Sequence, residues 1–103
     1  MLDNLLEDLI IRSIHAGWAT TTLKGGLIIY MTVQNGCVLT LTLRRVDNLP
    51  SDVEWHTIIK HFPWPTTAKP IPYGNNLVFT IVIHTKYLQK SPPRPLPVQG
   101  RLC

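Results

Sequence analysis

The stretch Leu27-Ile28-Ile29-Tyr30-Met31-Thr32-Val33-Gln34-Asn35-Gly36-Cys37-Val38-Leu39-Thr40-Leu41-Thr42-Leu43-Arg44 decides the fold. Asn35-Gly36 at its centre is a strong hairpin signal, because both residues tolerate the left-handed backbone of a tight turn. Two registers compete. A two-residue loop, Asn35-Gly36, sets Gln34 opposite Cys37 and leaves both sheet faces mixed. A three-residue loop, Gln34-Asn35-Gly36, with Gly36 left-handed in a type I turn plus G1 bulge, sets Val33 opposite Cys37. One face then carries Leu27, Ile29, Met31, Val33, Cys37, Leu39, Leu41 and Leu43, all apolar. The other carries Ile28, Tyr30, Thr32, Val38, Thr40 and Thr42. A slip of one residue moves every side chain to the opposite face, so the burial pattern selects the three-residue loop.

Downstream, Asp47-Asn48-Leu49-Pro50 reads as a loop and Ser51-Asp52-Val53-Glu54 as a capping box that opens a helix. Trp55, Ile58, Ile59 and Phe62 follow at i, i+3, i+4 and i+7, the spacing of a buried stripe, and Pro63 stops the helix. Upstream, residues 3–16 predict a helix whose face is Leu5, Leu6, Leu9, Ile10, Ser13 and Ile14. Gly17 ends it, a strand from Trp18 to Leu23 follows, and Lys24-Gly25-Gly26 turns into the hairpin.

Pro63 to Pro72 holds four prolines, which predict a stiff extended connection. A last strand, Leu77 to Tyr87, directs Leu77, Phe79, Ile81 and Ile83 one way and Val78, Thr80, Val82 and His84 the other. With apolar residues on both sides, this strand is expected to be central or to meet a partner. Residues 89–103 are proline-rich and basic, and are expected to be disordered. The expected architecture is α+β, in the order αβββα-β: a four-stranded antiparallel sheet with two helices mainly on one face. Residues 1–88 form the single domain.

Charged residues make up only 16% of the 103-residue chain, well below the usual quarter. So few charges leave little to cover a small surface, which favours an oligomer, most simply a homodimer. Residues 1–60 hold six acids and five bases, whereas residues 61–103 hold five bases and no acid. A basic end on a near-neutral body suits a polyanion such as RNA or DNA, or serves only to solvate a tail. Cys37 and Cys103 are too few for a disulfide framework, and a buried thiol and a tail thiol fit a reducing, cytoplasmic setting. The acidic N-terminus does not suit a signal peptide, and no run suits a membrane span.

Residues 5–62 resemble the HicA-type RNA-cleaving toxins, which use a fold like the double-stranded-RNA-binding domain. The matching pieces are a first helix ending in Gly17-Trp18, the turn Lys24-Gly25-Gly26, the turn Asn35-Gly36, Leu49-Pro50 before the second helix, and Ile58-Ile59-Lys60 within it. The resemblance implies an RNA-handling fold without its chemistry. Where that family has its catalytic histidine, after the glycine turn, this chain has Leu27, which cannot transfer a proton.

No other motif supplies catalysis. His56 and His61 are five apart on a helix and do not share a face, and His15 and His84 lie on other elements. No paired carboxylates, phosphate-cradling loop or metal-ligand spacing occurs, and no cofactor or metal is expected. Three readings remain. The first is a non-catalytic nucleic-acid-binding module whose phosphate contacts are Lys24, Arg44, Arg45, Lys60, Lys86, Lys90 and Arg94, with Trp64 as an exposed aromatic contact. The second is an interaction or oligomeric subunit that uses its sheet surface and docks Pro92-Pro93-Arg94-Pro95-Leu96-Pro97 into a proline-binding groove. The third is a ribonuclease with a relocated histidine.

Overall fold

Helix α1 (Leu2–Ala16) is amphipathic, and Leu6, Leu9 and Ile10 disappear beneath it. The computed structural model describes residues 2–46 and 48–88. Gly17, at φ 94°, closes α1 by returning its N–H to the Ser13 carbonyl at 2.8 Å. Strands β1 (Trp18–Thr22), β2 (Ile28–Gln34) and β3 (Val38–Arg44) follow, then α2 (Asp52–Lys60), β4 (Ile71–Tyr73), β5 (Asn76–Val82) and the short α3 (Thr85–Leu88). The strands form one antiparallel sheet in the order β1-β2-β3-β5-β4. The fold is therefore α+β, with one strand and one short helix beyond the expected set.

The extra strand, β4, comes from within the proline-rich connection, where Pro72 lies opposite Leu77. A proline connection reads as unpaired because proline has no N–H to give. At a sheet edge that loss is tolerated, and β4 is an edge. The predicted strand from Leu77 to Tyr87 ends at Val82, and the chain turns into α3. β5 is internal to the sheet, as its two apolar faces suggested.

The hairpin keeps the predicted faces but not the predicted partners. Ile29, Met31, Leu39, Leu41 and Leu43 are fully buried, with Leu27 and Cys37 nearly so. However, Val33 pairs with Leu39 and Gln34 with Val38, two residues along from the expected register. The loop is Asn35-Gly36-Cys37. Asn35 (φ 58°) and Gly36 (φ 78°) are both left-handed, the mark of a type I′ turn rather than type I plus G1 bulge. Cys37 donates to the Gln34 carbonyl at 3.2 Å and accepts from Ile83 at 2.9 Å, which ties the turn to the end of β5. A shift of two preserves side-chain parity, so hydrophobic pattern alone cannot detect it.

Both long helices pack on the apolar face. The core joins Leu6, Leu9 and Ile10 of α1 and Ile58 of α2 to Ile29, Met31, Leu39, Leu41 and Phe79 of the sheet. The capping box at Ser51 is formed: the Ser51 hydroxyl accepts from Glu54 N–H at 3.2 Å, and Glu54 accepts from Ser51 N–H at 2.9 Å. Cys37 is buried as expected but disulfide-bonded, which corrects the expected thiol. Residues 89–103, the proline-rich tail, lie outside the described residues.

Candidate interaction surface

Among the described residues, no helix covers the second face of the sheet. Its side chains form cross-strand rows, one of which runs Thr20, Tyr30, Thr42, Val78, Ile71 across all five strands. On one side of it lies Trp18, Thr32, Thr40, Thr80, and on the other Thr22, Ile28, Arg44, Asn76, Tyr73. Threonine and β-branched residues dominate because they suit a pleated surface, and each threonine presents a methyl group beside its hydroxyl. Several large side chains stand open: Trp18 is 53% exposed, Ile71 63%, Val82 64% and Tyr73 76%. The Trp18 and Tyr30 rings lie 6.2 Å apart and tilted, making one aromatic corner. The only charged side chain in these rows is Arg44, near one end of the sheet.

The basic residues singled out in the sequence do not gather into one patch. Lys24 in the β1–β2 turn, Arg44 at the end of β3 and Arg45 after it share one end of the sheet. Arg45 is committed there. Its Nε donates to Glu54 at 2.9 and 3.1 Å, its Nη2 pairs with the same carboxylate, and its Nη1 donates to the Gly25 carbonyl at 2.8 Å. These donors, with Ser51 N–H, hold the Glu54 carboxyl down at about 2, and the carboxylate in turn raises the Arg45 guanidinium. Lys60 lies in the last turn of α2, and Lys86 in α3, beyond the opposite end of β5. Lys86 sits 5.3 Å from the Tyr87 ring. Lys90 and Arg94 lie outside the described residues.

Trp64, expected as an exposed contact, is only 8% exposed. It packs edge-on against Phe62 at 4.9 Å and beside Tyr87 at 5.2 Å, because the stiff prolines around it turn the ring back onto the core. Trp55, read as core, is only half-buried and stacks on His56 at 3.8 Å.

The histidines remain dispersed. His61 Nδ1 meets Asp3 at 2.6 Å, His56 Nδ1 lies 2.7 Å from the Asp52 carbonyl, and His84 Nδ1 accepts from Lys86 N–H at 3.1 Å. Each contact is local or pairwise, with no nucleophile beside it. Among the described residues, no group of three or more His, Cys, Asp or Glu could hold a metal. Leu27 is 5% exposed at the core end of the glycine turn. No described helix is long and apolar enough to cross a membrane.

No protein-family model matches the chain. Comparison with curated proteins likewise finds no match, nor does comparison with solved structures.

Two features escaped the sequence reading. By its place in the sequence Glu54 is a capping residue, and it also clamps Arg45. Tyr87 falls in the predicted last strand, but it sits in α3 and its hydroxyl donates to Glu7 of α1 at 2.8 Å. Burial, with that bond, pushes the Tyr87 phenol up to about 12. Glu54 and Arg45 are nine residues apart, across the loop before α2, and Tyr87 and Glu7 eighty apart; neither link has a local sequence signal.

Proposed function

We propose that this protein is an interaction subunit that forms a homodimer by packing the open sheet faces of two copies together. One observation carries the reading: the second face of the sheet is built almost wholly of threonine, β-branched and aromatic side chains, with Arg44 its only charge. Three strands of seven residues, one of five and one of three, at about 3.3 Å per residue and about 4.8 Å spacing, offer roughly 450 Å² per copy. Two such faces bury roughly 900 Å², the size of a weak, transient interface. Sheets stack about 10 Å apart with interdigitated side chains, a spacing that threonine, valine and tyrosine can fill. Against a nucleic-acid role, Arg45 is consumed by Glu54, and the other described bases are scattered: Lys24 and Arg44 at one end of the sheet, Lys60 on α2, and Lys86 beyond the opposite end of β5. Under this reading, the Pro92–Pro97 segment serves a further protein partner with a proline-binding groove.

Sedimentation velocity tests the proposal. The wild-type chain should run at twice its 11.7 kDa mass at micromolar concentration. Thr80→Glu places a charge on an exposed position of that face. It should yield the monomer with an unchanged circular-dichroism spectrum. A wild-type monomer, or a dimer indifferent to Thr80→Glu, would overturn it.

A further inference from the structure

The two edges of the sheet are built differently. β4 is three residues long, contains Pro72 and follows Pro70, so it offers a broken row of donors. Short length and proline are the usual guards against strand addition. β1 has neither guard and no charged residue. The Val33 N–H donates to the Gly17 carbonyl at 3.0 Å and the Leu23 N–H to the Leu27 carbonyl at 2.8 Å. With the register from Trp18–Thr32 to Thr22–Ile28, the odd-numbered residues of β1 bond to β2. The N–H and C=O groups of Trp18, Thr20 and Thr22 therefore point outward, and no described residue bonds them.

A groove of about 450 Å³ runs beside this edge, between α1 and β1. Ile11, Ala16 and Ala19 give it apolar walls, and its ionisable lining groups, Arg12 and His15, are both basic. Arg12 pairs with Asp8 at 2.7 Å on the exposed surface of α1. A guanidinium has five N–H donors, more than one carboxylate occupies. A strand added outside β1 would place alternate side chains over this groove.

We propose that β1 is a docking edge for an extended peptide from another protein, which adds a sixth strand and sets an acidic side chain, between apolar ones, against Arg12 and His15. This is recognition by strand addition, in which backbone bonds supply affinity and the groove supplies selectivity. Charge complementarity selects this occupant over those within the chain. A second copy would bring its own Trp18–Leu23 segment, which contains no acid. Residues 89–103 contain no acid either, and prolines 92, 93, 95 and 97 lack the N–H groups that a strand must donate. The docking edge is the lateral bond row of β1, whereas the dimer is proposed to use the face; Trp18 and Thr20 border both.

The test uses the full chain and a labelled, end-capped heptapeptide, Thr-Ile-Thr-Glu-Thr-Ile-Thr, followed by fluorescence anisotropy. Binding should be detectable below about millimolar peptide, and a Lys-for-Glu peptide should bind about tenfold more weakly. Thr20→Pro removes one outward N–H at a position where an edge strand tolerates proline. It should weaken binding about tenfold, and saturating peptide should leave the sedimenting species of the wild type unchanged. Peptides N-methylated at every second amide, made in both phases, probe the same bond row without altering the protein, should Thr20→Pro fail to fold. One phase should abolish binding and the other retain it. Absence of binding, equal binding of the lysine peptide, or indifference to both the proline and the N-methyl groups would overturn the proposal. So would dissociation of the wild-type dimer by saturating peptide, since β1 would then hold a second copy.

Discussion

The Arg45 guanidinium grips the Glu54 carboxylate across the corner where β3 gives way to α2, with Nε to Oε2 at 2.9 Å. The same guanidinium holds the Gly25 carbonyl in the β1–β2 turn, and the same carboxylate caps α2 through Ser51 N–H. One ion pair thus fastens a turn, a strand end and a helix start.

The clamp makes stability depend on acid. The Glu54 carboxyl is held at about 2 in the folded chain, against its ordinary value of 4.5. The unfolded chain therefore takes up the proton more readily, and the clamp's contribution is full above the ordinary value and lost as pH falls toward 2. Melting curves of the wild type and Glu54→Gln should be separated at pH 7 and converge near pH 2. A constant separation would show that the charged carboxylate contributes nothing.

Trp64 should prove structural. Its ring is buried among Phe62, His84 and Tyr87, where it links the segment after α2 to α3. Trp64→Ala should cost about 3 kcal/mol of unfolding free energy, the usual scale for deleting a buried aromatic ring. Urea unfolding reads this directly. A loss below about 1 kcal/mol would mean that the ring is not part of the core.

Nucleic-acid binding, if the remaining bases support it, should be weak and sequence-tolerant. Lys24, Arg44, Lys60 and Lys86 making one phosphate contact each give a log–log salt slope of roughly −3 to −4. Arg44→Glu should lower affinity for all sequences alike. No detectable binding to RNA or DNA at about 50 mM salt removes nucleic acid from the partners. Cleavage of RNA by the purified protein, lost on His56→Ala or His61→Ala, would instead restore the ribonuclease reading.

The sequence by itself determined the elements whose causes are local. The capping box at Ser51 needs only Glu54 three residues on, and Gly17 ends α1 through its own backbone freedom. The buried face of the hairpin follows from alternation, because parity survives any even shift in register. What alternation leaves open is the even shift itself, and here the tertiary structure decided. The Ile83 N–H claims the Cys37 carbonyl, Asn35 and Gly36 both turn left-handed, and the pairing moves by two residues. Trp64, β4 and the Arg45–Glu54 clamp were equally illegible, because each depends on chain segments that meet only after folding. The interaction surface divides in the same way. Its threonines and tyrosine could be assigned to one face from alternation alone, but only the strand order, with both helices on the opposite side, leaves that face open and puts β1 at an edge.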